Sequence, residues 1–407
     1  MPRSLRRYIV MNHSFDLPLG FAAGAAQAGF KKEGRDDLGL IVSDRDAVCA
    51  GVFTTNVFKA APVLVCQKRL ATGKAVRGIV ANSGQANACT GDEGLANCKK
   101  TLAMVGEALN LAPDTLLPMS TGVIGDQLKM DKWEAAVPAL AASLGSRDAE
   151  GFTRAFMTTD AFPKFASKDI RLSGGTVRLT TMAKGAGMIC PNMATMLCVV
   201  LTDAIVDPAK WQALFARCAD KTFNRVSVDG DTSTNDTILA LANGASNVAM
   251  ATPEDEHIFE EALTDILHTT AHMLVKDGEG ATKVMIIHVH GAATDRDAEQ
   301  VARTVGHSQL VKTAIYGRDA NWGRIVAAVG RSGVTMKPED VSVVLCGVEL
   351  FRNGQPLGGN FDAALEGPLQ EENIPIDICI GEGCGSYTLE ASDLSVGYVK
   401  LNSDYRS

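Results

Sequence analysis

Short apolar runs recur along the whole chain, and turn residues separate them. They occupy residues 38–43, 47–53, 62–66, 78–81, 177–183, 196–202, 283–290, 341–348, 386–391 and 396–401. Runs of about four to eight residues that are bounded in this way are typical of β-strands. The number of predicted strands excludes a helical bundle.

Helix start signals lie between the strand clusters. Asp207-Pro208 supplies an N-cap and a first-turn proline for a helix over residues 211–219. Thr252-Pro253 does the same for a long helix that is expected to end at Asp277-Gly278. Further helices are predicted over residues 131–144 and 295–315. Because strand clusters and helices mix irregularly, the pattern favours an α+β fold with layered sheets over a doubly wound parallel sheet.

The charge of the chain weighs against nucleic acid as a partner. Its 407 residues carry a formal net charge of −8, and only 5% of them are aromatic. A surface that binds phosphates needs a basic patch, and a surface that stacks bases needs aromatic side chains. We therefore expect no nucleic-acid partner.

The sequence predicts neither a membrane segment nor an export signal. The longest nearly apolar stretch, residues 19–30, is shorter than the roughly 20 residues that span a bilayer. Near the N-terminus only residues 8–11 are apolar, whereas a signal peptide needs about 7–15 such residues. The ten cysteines form no C-x-x-C pair, which is typical of reduced thiols in a chain that is not exported. We therefore expect a cytoplasmic protein.

Two features resemble metal sites, but neither is complete. His268 and His272 have the i, i+4 spacing of a ligand pair, yet they are not part of an H-E-x-x-H motif. Residues 229–236 resemble the start of a calcium loop, but the positions that require glycine and glutamate hold Thr234 and Ala240. We expect no metal and no tightly bound cofactor, and we expect residues 229–236 to form a hydrogen-bonded loop.

A glycine-rich segment runs directly into one of the most apolar predicted strands. Thr195 stands at this junction, after the small residue Ala194. One interpretation is a plain loop that enters a core strand. The other is self-cleavage between Ala194 and Thr195, which would give Thr195 an α-amino group with a pKa of about 7.7–8.0 beside its weakly nucleophilic hydroxyl. The spacing of the residues leaves both interpretations open.

Blocks of sequence at this junction and elsewhere carry a family resemblance. The junction reads K-G-A-G-M-I-C-P-N-M-A-T over residues 184–195. Further blocks follow the family order at residues 55–56, 60–63, 82–91, 120–125, 227–237, 319–324 and 401–407. Together they resemble the ornithine acetyltransferase family, the self-cleaving bifunctional proteins of arginine biosynthesis. The resemblance favours the self-cleavage interpretation.

The resemblance implies a two-chain enzyme with a layered αββα fold. Cleavage would give an α chain of residues 1–194 and a β chain of residues 195–407, which would associate as α2β2. The family moves acetyl from N2-acetyl-L-ornithine to L-glutamate by a ping-pong mechanism, and the N-terminal threonine carries the acetyl group between the two substrates. Some members also use acetyl-CoA as the donor.

The resemblance also assigns roles to individual residues. It implies that Thr121 and Gly122 stabilise the oxyanion that forms during acyl transfer. The residues that match substrate-binding positions are Thr158, Lys184, Thr195, Glu279, Asn402 and Ser407. From the charges we expect Lys184 to bind the α-carboxylate of ornithine and Glu279 to bind its side-chain ammonium. Because Asn402 and Ser407 belong to this set, we expect residues 402–407 to fold back over the site.

Two other functions remain as alternatives. An N-terminal-nucleophile aminopeptidase or amidase of similar fold would use water instead of glutamate as the acceptor. A non-catalytic amino-acid-binding protein would never cleave itself.

Overall fold

A computed structural model of the chain describes residues 15–31, 34–145, 149–190 and 196–404. Its strands are β1 Phe21–Ala26, β2 Leu38–Phe53, β3 Val76–Gln85, β4 Leu116–Val123, β5 Lys164–Leu172, β6 Gly175–Lys184, β7 Leu197–Thr202, β8 Val226–Ser227, β9 Thr237–Ala242, β10 Val284–Ala292, β11 Ser342–Leu345, β12 Val348–Arg352, β13 Gln355–Pro356, β14 Asn373–Cys379 and β15 Gly385–Ser392. Its helices are α1 Ala61–Leu70, α2 Gly91–Leu109, α3 Met130–Ala142, α4 Glu150–Ala155, α5 Pro208–Asp220, α6 Pro253–Lys276, α7 Asp295–Gly306, α8 Gln309–Tyr316, α9 Trp322–Gly330, α10 Phe361–Leu365 and α11 Val396–Asp404.

The described strands form two mixed sheets. The first has the order β4-β3-β2-β9-β7-β6-β5, with β1 paired to β2, and the second has the order β13-β12-β11-β14-β10-β15-β8. The long strand β2 belongs to both halves of the first sheet. Its first part pairs with β1 and β3, and its last part pairs with β9.

The two halves of the first sheet pack face to face. Side chains alternate along each strand, so that Leu197 and Val199 of β7 enter the same core as Ile79 of β3, while Cys198 faces the opposite side. Helices α2 and α3 cover the outer face of one half, and α5 and α6 cover the outer face of the other. The layers are therefore helix, sheet, sheet, helix, which confirms the predicted α+β sandwich of αββα type.

The second sheet has its own helices. Helices α7, α8 and α9 share one apolar cluster with β10, β11, β14 and β15. Helix α6 joins the two parts because it contacts both β5 of the first sheet and β15 of the second. Within the described ranges, no helix is long and apolar enough to cross a membrane.

The helix start signals of the sequence are confirmed. Asp207 accepts a hydrogen bond from the backbone of Ala209 at the start of α5. Thr252 and Asp255 form a capping box at the start of α6. Pro138 lies inside α3 without ending it. The single helix predicted over residues 295–315 is two helices, because the first ends at Gly306 and Ser308 caps the start of the second.

Two strand predictions are wrong. Residues 62–66 lie in α1, where Pro62 occupies the first turn and Val63 and Cys66 are buried on the same side at helical spacing. Residues 396–401 lie in α11, and Ser395 accepts a hydrogen bond from Tyr398 N in the manner of a helix cap. Short apolar runs fit either period, so the spacing of the apolar residues in these two runs does not distinguish a helix from a strand.

Candidate active site

Six of the residues that the family resemblance selects line one cavity. They are Thr121, Gly122, Thr158, Lys184, Glu279 and Asn402. The cavity has a volume of about 90 Å³. A single ordered water requires about 10–15 Å³ by the same measure, so the cavity has room for a small ligand.

Parallel strands β3 and β4 bring Thr121 and Gly122 to the cavity. Gly122 is in register with Gly84 of β3 and has a φ of +134°. A side chain at position 122 would clash with the backbone of Gly84, so only glycine fits this close approach. Asn235 fixes the same region, because its amide donates to Ala86 O (2.6 Å) and Ser120 O (2.8 Å).

Lys184 is the buried cation of the cavity. Its Nζ atom donates to Thr158 Oγ1 (2.8 Å) and to Thr121 Oγ1 (3.3 Å). Burial lowers the pKa of the lysine, and the nearby carboxylates of Asp160 and Glu279 oppose this shift. Because the Thr121 oxygen accepts from Lys184, its own proton remains available to a ligand in the cavity.

Glu279 is a carboxylate on the wall of the same cavity. It accepts hydrogen bonds from Thr159 Oγ1 (2.7 Å) and from Asn402 Nδ2 (3.0 Å). Gly187 packs so closely against it that a side chain there would clash with the carboxylate. The contact with Asn402 brings α11 to the cavity, as expected for the start of residues 402–407.

A buried ion cluster lies next to these residues. Lys164 Nζ contacts Asp160 Oδ1 (2.7 Å) and Asp277 Oδ2 (2.5 Å). Asp160 also accepts from the backbone N–H groups of Thr158 (2.8 Å) and Gly185 (2.6 Å). Burial raises the pKa of Asp160, but the charges of Lys184 and Lys164 outweigh it and hold this pKa well below its ordinary value. The cluster thus fixes the two backbone segments that carry Thr158 and Lys184.

Residues 229–236 form a hydrogen-bonded loop, as predicted. Asp229 accepts from the backbone of Met188 (2.6 Å) and Ile189 (2.9 Å), which precede the junction. Asp236 at the other end accepts from Met196 N (3.1 Å), at the start of β7. In the sequence, Ala194 and Thr195 come between Ile189 and Met196; like Ser407, they are outside the described residues, so the predictions for them stay predictions.

The histidine pair of the sequence faces a carboxylate. His268 Nε2 and His272 Nδ1 lie 3.0 and 2.8 Å from the two oxygens of Glu390. Burial raises the pKa of Glu390, but the two histidines outweigh it and lower the pKa to about 2. Among the described residues, no group of three or more histidine, cysteine or acidic side chains could hold a metal ion.

Sequence reasoning missed Asp160, Lys164, Asn235 and Asp277. Lys164 and Asp277 are 113 positions apart, and only strand pairing and α6 bring them together. Asn235 lies in a block that matched the family, but no signal in the sequence separated it from its neighbours.

Comparisons with known proteins find similar sequences along almost the whole chain. Residues 22–407 match the model of the ArgJ family. The chain is 62% identical over 390 residues to the arginine biosynthesis bifunctional protein ArgJ of Nitratidesulfovibrio vulgaris, covering 96% of this chain and 99% of the relative. It is 44% identical over 390 residues to the protein of the same name from Geobacter sulfurreducens, covering 95% and 99%.

Two solved structures are also similar in sequence. The ArgJ structure from Bacillus halodurans is 37% identical, with a TM-score of 0.47, and the match covers 50% of this chain and 96% of that one. Ornithine acetyltransferase from Mycobacterium tuberculosis, solved with ornithine, is 39% identical, with a TM-score of 0.41 and coverage of 44% and 94%. Since the family model and the curated relatives span almost the whole chain, this protein belongs to the ArgJ family.

Proposed function

We propose that this protein is an ornithine acetyltransferase of arginine biosynthesis that transfers acetyl from N2-acetyl-L-ornithine to L-glutamate. The observation that carries the proposal is the convergence of Lys184, Glu279 and the Thr121 hydroxyl in one cavity. A cation, a carboxylate and an oxyanion donor are the groups that an acetylated diamino acid requires. Membership of the ArgJ family supports the same activity.

Self-cleavage between Ala194 and Thr195 would produce the active form. The α chain would be residues 1–194, and the β chain, residues 195–407, would begin with the nucleophile. Thr195 directly precedes Met196, whose backbone is held from both sides by Asp236 and by Thr237 N (3.1 Å). Such anchoring at the end of a buried strand suits a nucleophile that must keep one direction.

Substrate binding would use the two charges of the cavity. Lys184 would bind the α-carboxylate, and Glu279 would bind the side-chain ammonium of ornithine. Because Glu279 also accepts a hydrogen bond from Asn402 of α11, binding of the ammonium group at Glu279 would also affect the C-terminal helix. Thr158 and Ser407 complete the proposed substrate-binding set.

The transfer would proceed in two half-reactions. The α-amine of Thr195 takes the hydroxyl proton while the oxygen attacks the acetyl carbonyl. The Thr121 hydroxyl and the Gly122 amide stabilise the oxyanion, and the Lys184 ammonium makes the Thr121 hydroxyl a stronger donor. The proton then passes to the departing amine of ornithine, and glutamate repeats the sequence in reverse.

We also propose an α2β2 assembly in the cytoplasm, with acetyl-CoA as a second donor. The word bifunctional in the names of the relatives supports a second activity. All ten cysteines, which the structure describes, are unpaired, and this supports a reducing compartment such as the cytoplasm.

Gel electrophoresis and an acceptor assay test the proposal together. Purified protein should give two bands, and sequencing of the second should begin at Thr195. Thr195→Ala should stay uncut, whereas Thr195→Ser should retain slow cleavage because it keeps a hydroxyl. Ornithine should be released from acetyl-ornithine rapidly only when glutamate is present.

Other outcomes identify the alternatives. One intact band of 42.9 kDa without activity would indicate a binding protein. Equal release of ornithine with and without glutamate would indicate an amidase that uses water as the acceptor.

A further inference from the structure

Self-cleavage needs a proton acceptor that the mature enzyme does not need. In the mature form, the α-amine of Thr195 can take the proton from the hydroxyl of the same residue. In the precursor, that nitrogen is part of the peptide bond to Ala194 and is not basic. The first cut therefore requires another base close to Thr195.

Asp236 occupies the right place in the chain for this base. Its side chain is fully buried, and its Oδ1 atom accepts from Met196 N (3.1 Å). Thr195 is covalently bonded to this same nitrogen, so chain connectivity alone makes Thr195 and Asp236 neighbours. Thr237 N also donates to Met196 O (3.1 Å), so both backbone polar groups of Met196 are held by hydrogen bonds.

The second oxygen of Asp236 is free to accept a proton. Oδ2 is buried and has no hydrogen-bond partner in the part of the chain that the structure describes. The nearby Thr54 hydroxyl has its single proton directed to Ser233 O (2.6 Å). Burial raises the pKa of Asp236 well above its ordinary value, and the Met196 amide and the Lys184 charge oppose this shift. The Met196 amide and the Lys184 charge favour the ionised form of Asp236, which is the form that can accept a proton.

The other charged groups of the cavity are already engaged. Both oxygens of Glu279 accept hydrogen bonds, from Thr159 and Asn402. Both oxygens of Asp160 accept hydrogen bonds as well, from Lys164, Gly185 and Thr158. Lys184 Nζ donates to two threonine hydroxyls, and the carboxylates of Asp160 and Glu279 oppose the lowering of its pKa by burial.

We propose that Asp236 accepts the proton of the Thr195 hydroxyl when the precursor cuts itself. The proposal rests on the proposed function. As the proton passes to Oδ2, the Thr195 oxygen forms a bond to the carbonyl carbon of Ala194. The bond from that carbon to the Thr195 nitrogen then breaks, and Asp236 returns the proton to this nitrogen. Water hydrolyses the resulting ester, which leaves a carboxyl group on Ala194 and restores the Thr195 hydroxyl.

The test is the rate of cleavage of Asp236→Asn. Asparagine keeps the volume and the oxygen that accepts from Met196 N, but it cannot take a proton. We expect cleavage at least about 100-fold slower than in the wild type, since general bases contribute about 10²–10⁴ in rate. Asp203→Asn is the matched control. Asp203 is buried at the opposite end of β7, accepts from the backbone of Leu19 and Arg178, and should leave the cleavage rate unchanged.

A second measurement separates this role from folding. The sequence Asp-Asp-Asp-Asp-Lys is inserted between Ala194 and Thr195, so that enteropeptidase can cut the full-length precursor and free Thr195. The Asp236→Asn protein cut in this way should recover at least a tenth of the acetyl transfer of the equally treated wild type. Recovery would show that the variant is folded and that its defect is confined to the first cut.

Two results would overturn the role of Asp236. One is Asp236→Asn precursor that cleaves at the wild-type rate. The other is enteropeptidase-cut Asp236→Asn protein that stays inactive, which would make Asp236 a structural or turnover residue. A wild-type precursor that never cuts itself would instead refute the proposed function, and the Asp236 proposal with it.

Discussion

Lys164→Met should strongly destabilise the protein. Lys164 is fully buried on β5 and contacts the carboxylates of Asp160 (2.7 Å) and Asp277 (2.5 Å). Methionine keeps most of the side-chain volume but leaves two buried carboxylates without their shared cation. Removing one partner of a buried ion pair costs about 3–5 kcal/mol, so we expect a loss of this size in the free energy of unfolding.

Lys168→Met on the same strand is the matched control. Lys168 lies 3.2 Å from Asp265, and both side chains are partly exposed to solvent. Exposed ion pairs contribute about 0–1 kcal/mol, so this variant should lose no more than that. Adding Asp277→Asn to Lys164→Met should recover part of the loss, because removing the second charge of a buried pair eliminates an unpaired carboxylate.

The destabilisation by Lys164→Met should depend on pH. In the wild type the pKa of Asp160 is held below its ordinary value of about 3.9, so its ionised form stabilises the fold above that pH, and the contribution is lost as the pH falls through the depressed pKa. Burial raises the pKa of Asp277, and losing Lys164 should raise it further. In the folded variant the Asp277 carboxyl therefore binds a proton at pH values at which the same group in the unfolded chain is ionised. The loss in the free energy of unfolding should then grow from pH 4.5 to pH 7.5.

Urea unfolding at a fixed protein concentration, followed by tryptophan fluorescence, measures this difference at both pH values. An equal loss at pH 4.5 and pH 7.5 would refute the electrostatic argument. A loss at pH 7.5 within 1 kcal/mol of that of Lys168→Met would refute the magnitude.

Two further predictions concern the cavity. Thr121→Ala should lower the acetyl-transfer rate by about 10²–10³ with a smaller change in the affinity for acetyl-ornithine, because the hydroxyl acts mainly when the oxyanion forms. Pre-steady-state kinetics and a binding isotherm measure the two effects, and a large affinity loss with an unchanged rate constant would assign Thr121 to substrate binding. Deleting residues 402–407 removes Asn402 from Glu279, and it should leave self-cleavage intact while it weakens acetyl-ornithine binding. Normal turnover and affinity in the truncated, correctly cut protein would exclude the C-terminus from the site.

Local signals in the sequence predicted local structure well. The caps at Asp207 and Thr252 depend on contacts within three residues, so the sequence contains all the information they need. The cavity residues were predicted by a different route. The family resemblance selected Thr121, Lys184, Glu279 and other residues that are far apart in the chain, and the fold brings them together.

The ion cluster beside the cavity could not be predicted in this way. Lys164 lies at the start of β5, and its position in a continuous strand gives no sign that it is buried. Its partner Asp277 follows α6, and it reaches Lys164 because α6 packs against β5 in the folded protein. The sequence shows which residues carry opposite charges. Which of them form ion pairs depends on how the helix packs on the sheet.

Residues 396–401 were predicted as a strand but lie in the helix Val396–Asp404, and this difference decides whether Asn402 can reach the cavity. Ser395 Oγ donates to Gly280 O (2.5 Å), while Asn402 Nδ2 donates to Glu279 (3.0 Å). Ser395 and Asn402 are seven positions apart, but their partners Gly280 and Glu279 are adjacent in the chain. A strand would separate them by about 23 Å, whereas a helix separates them by about 10 Å, within reach of an extended asparagine side chain and the carboxylate of Glu279. Asn402 can contact Glu279 only because this segment is helical, so the predicted contact of the C-terminus with the site requires the helix that the sequence reading missed.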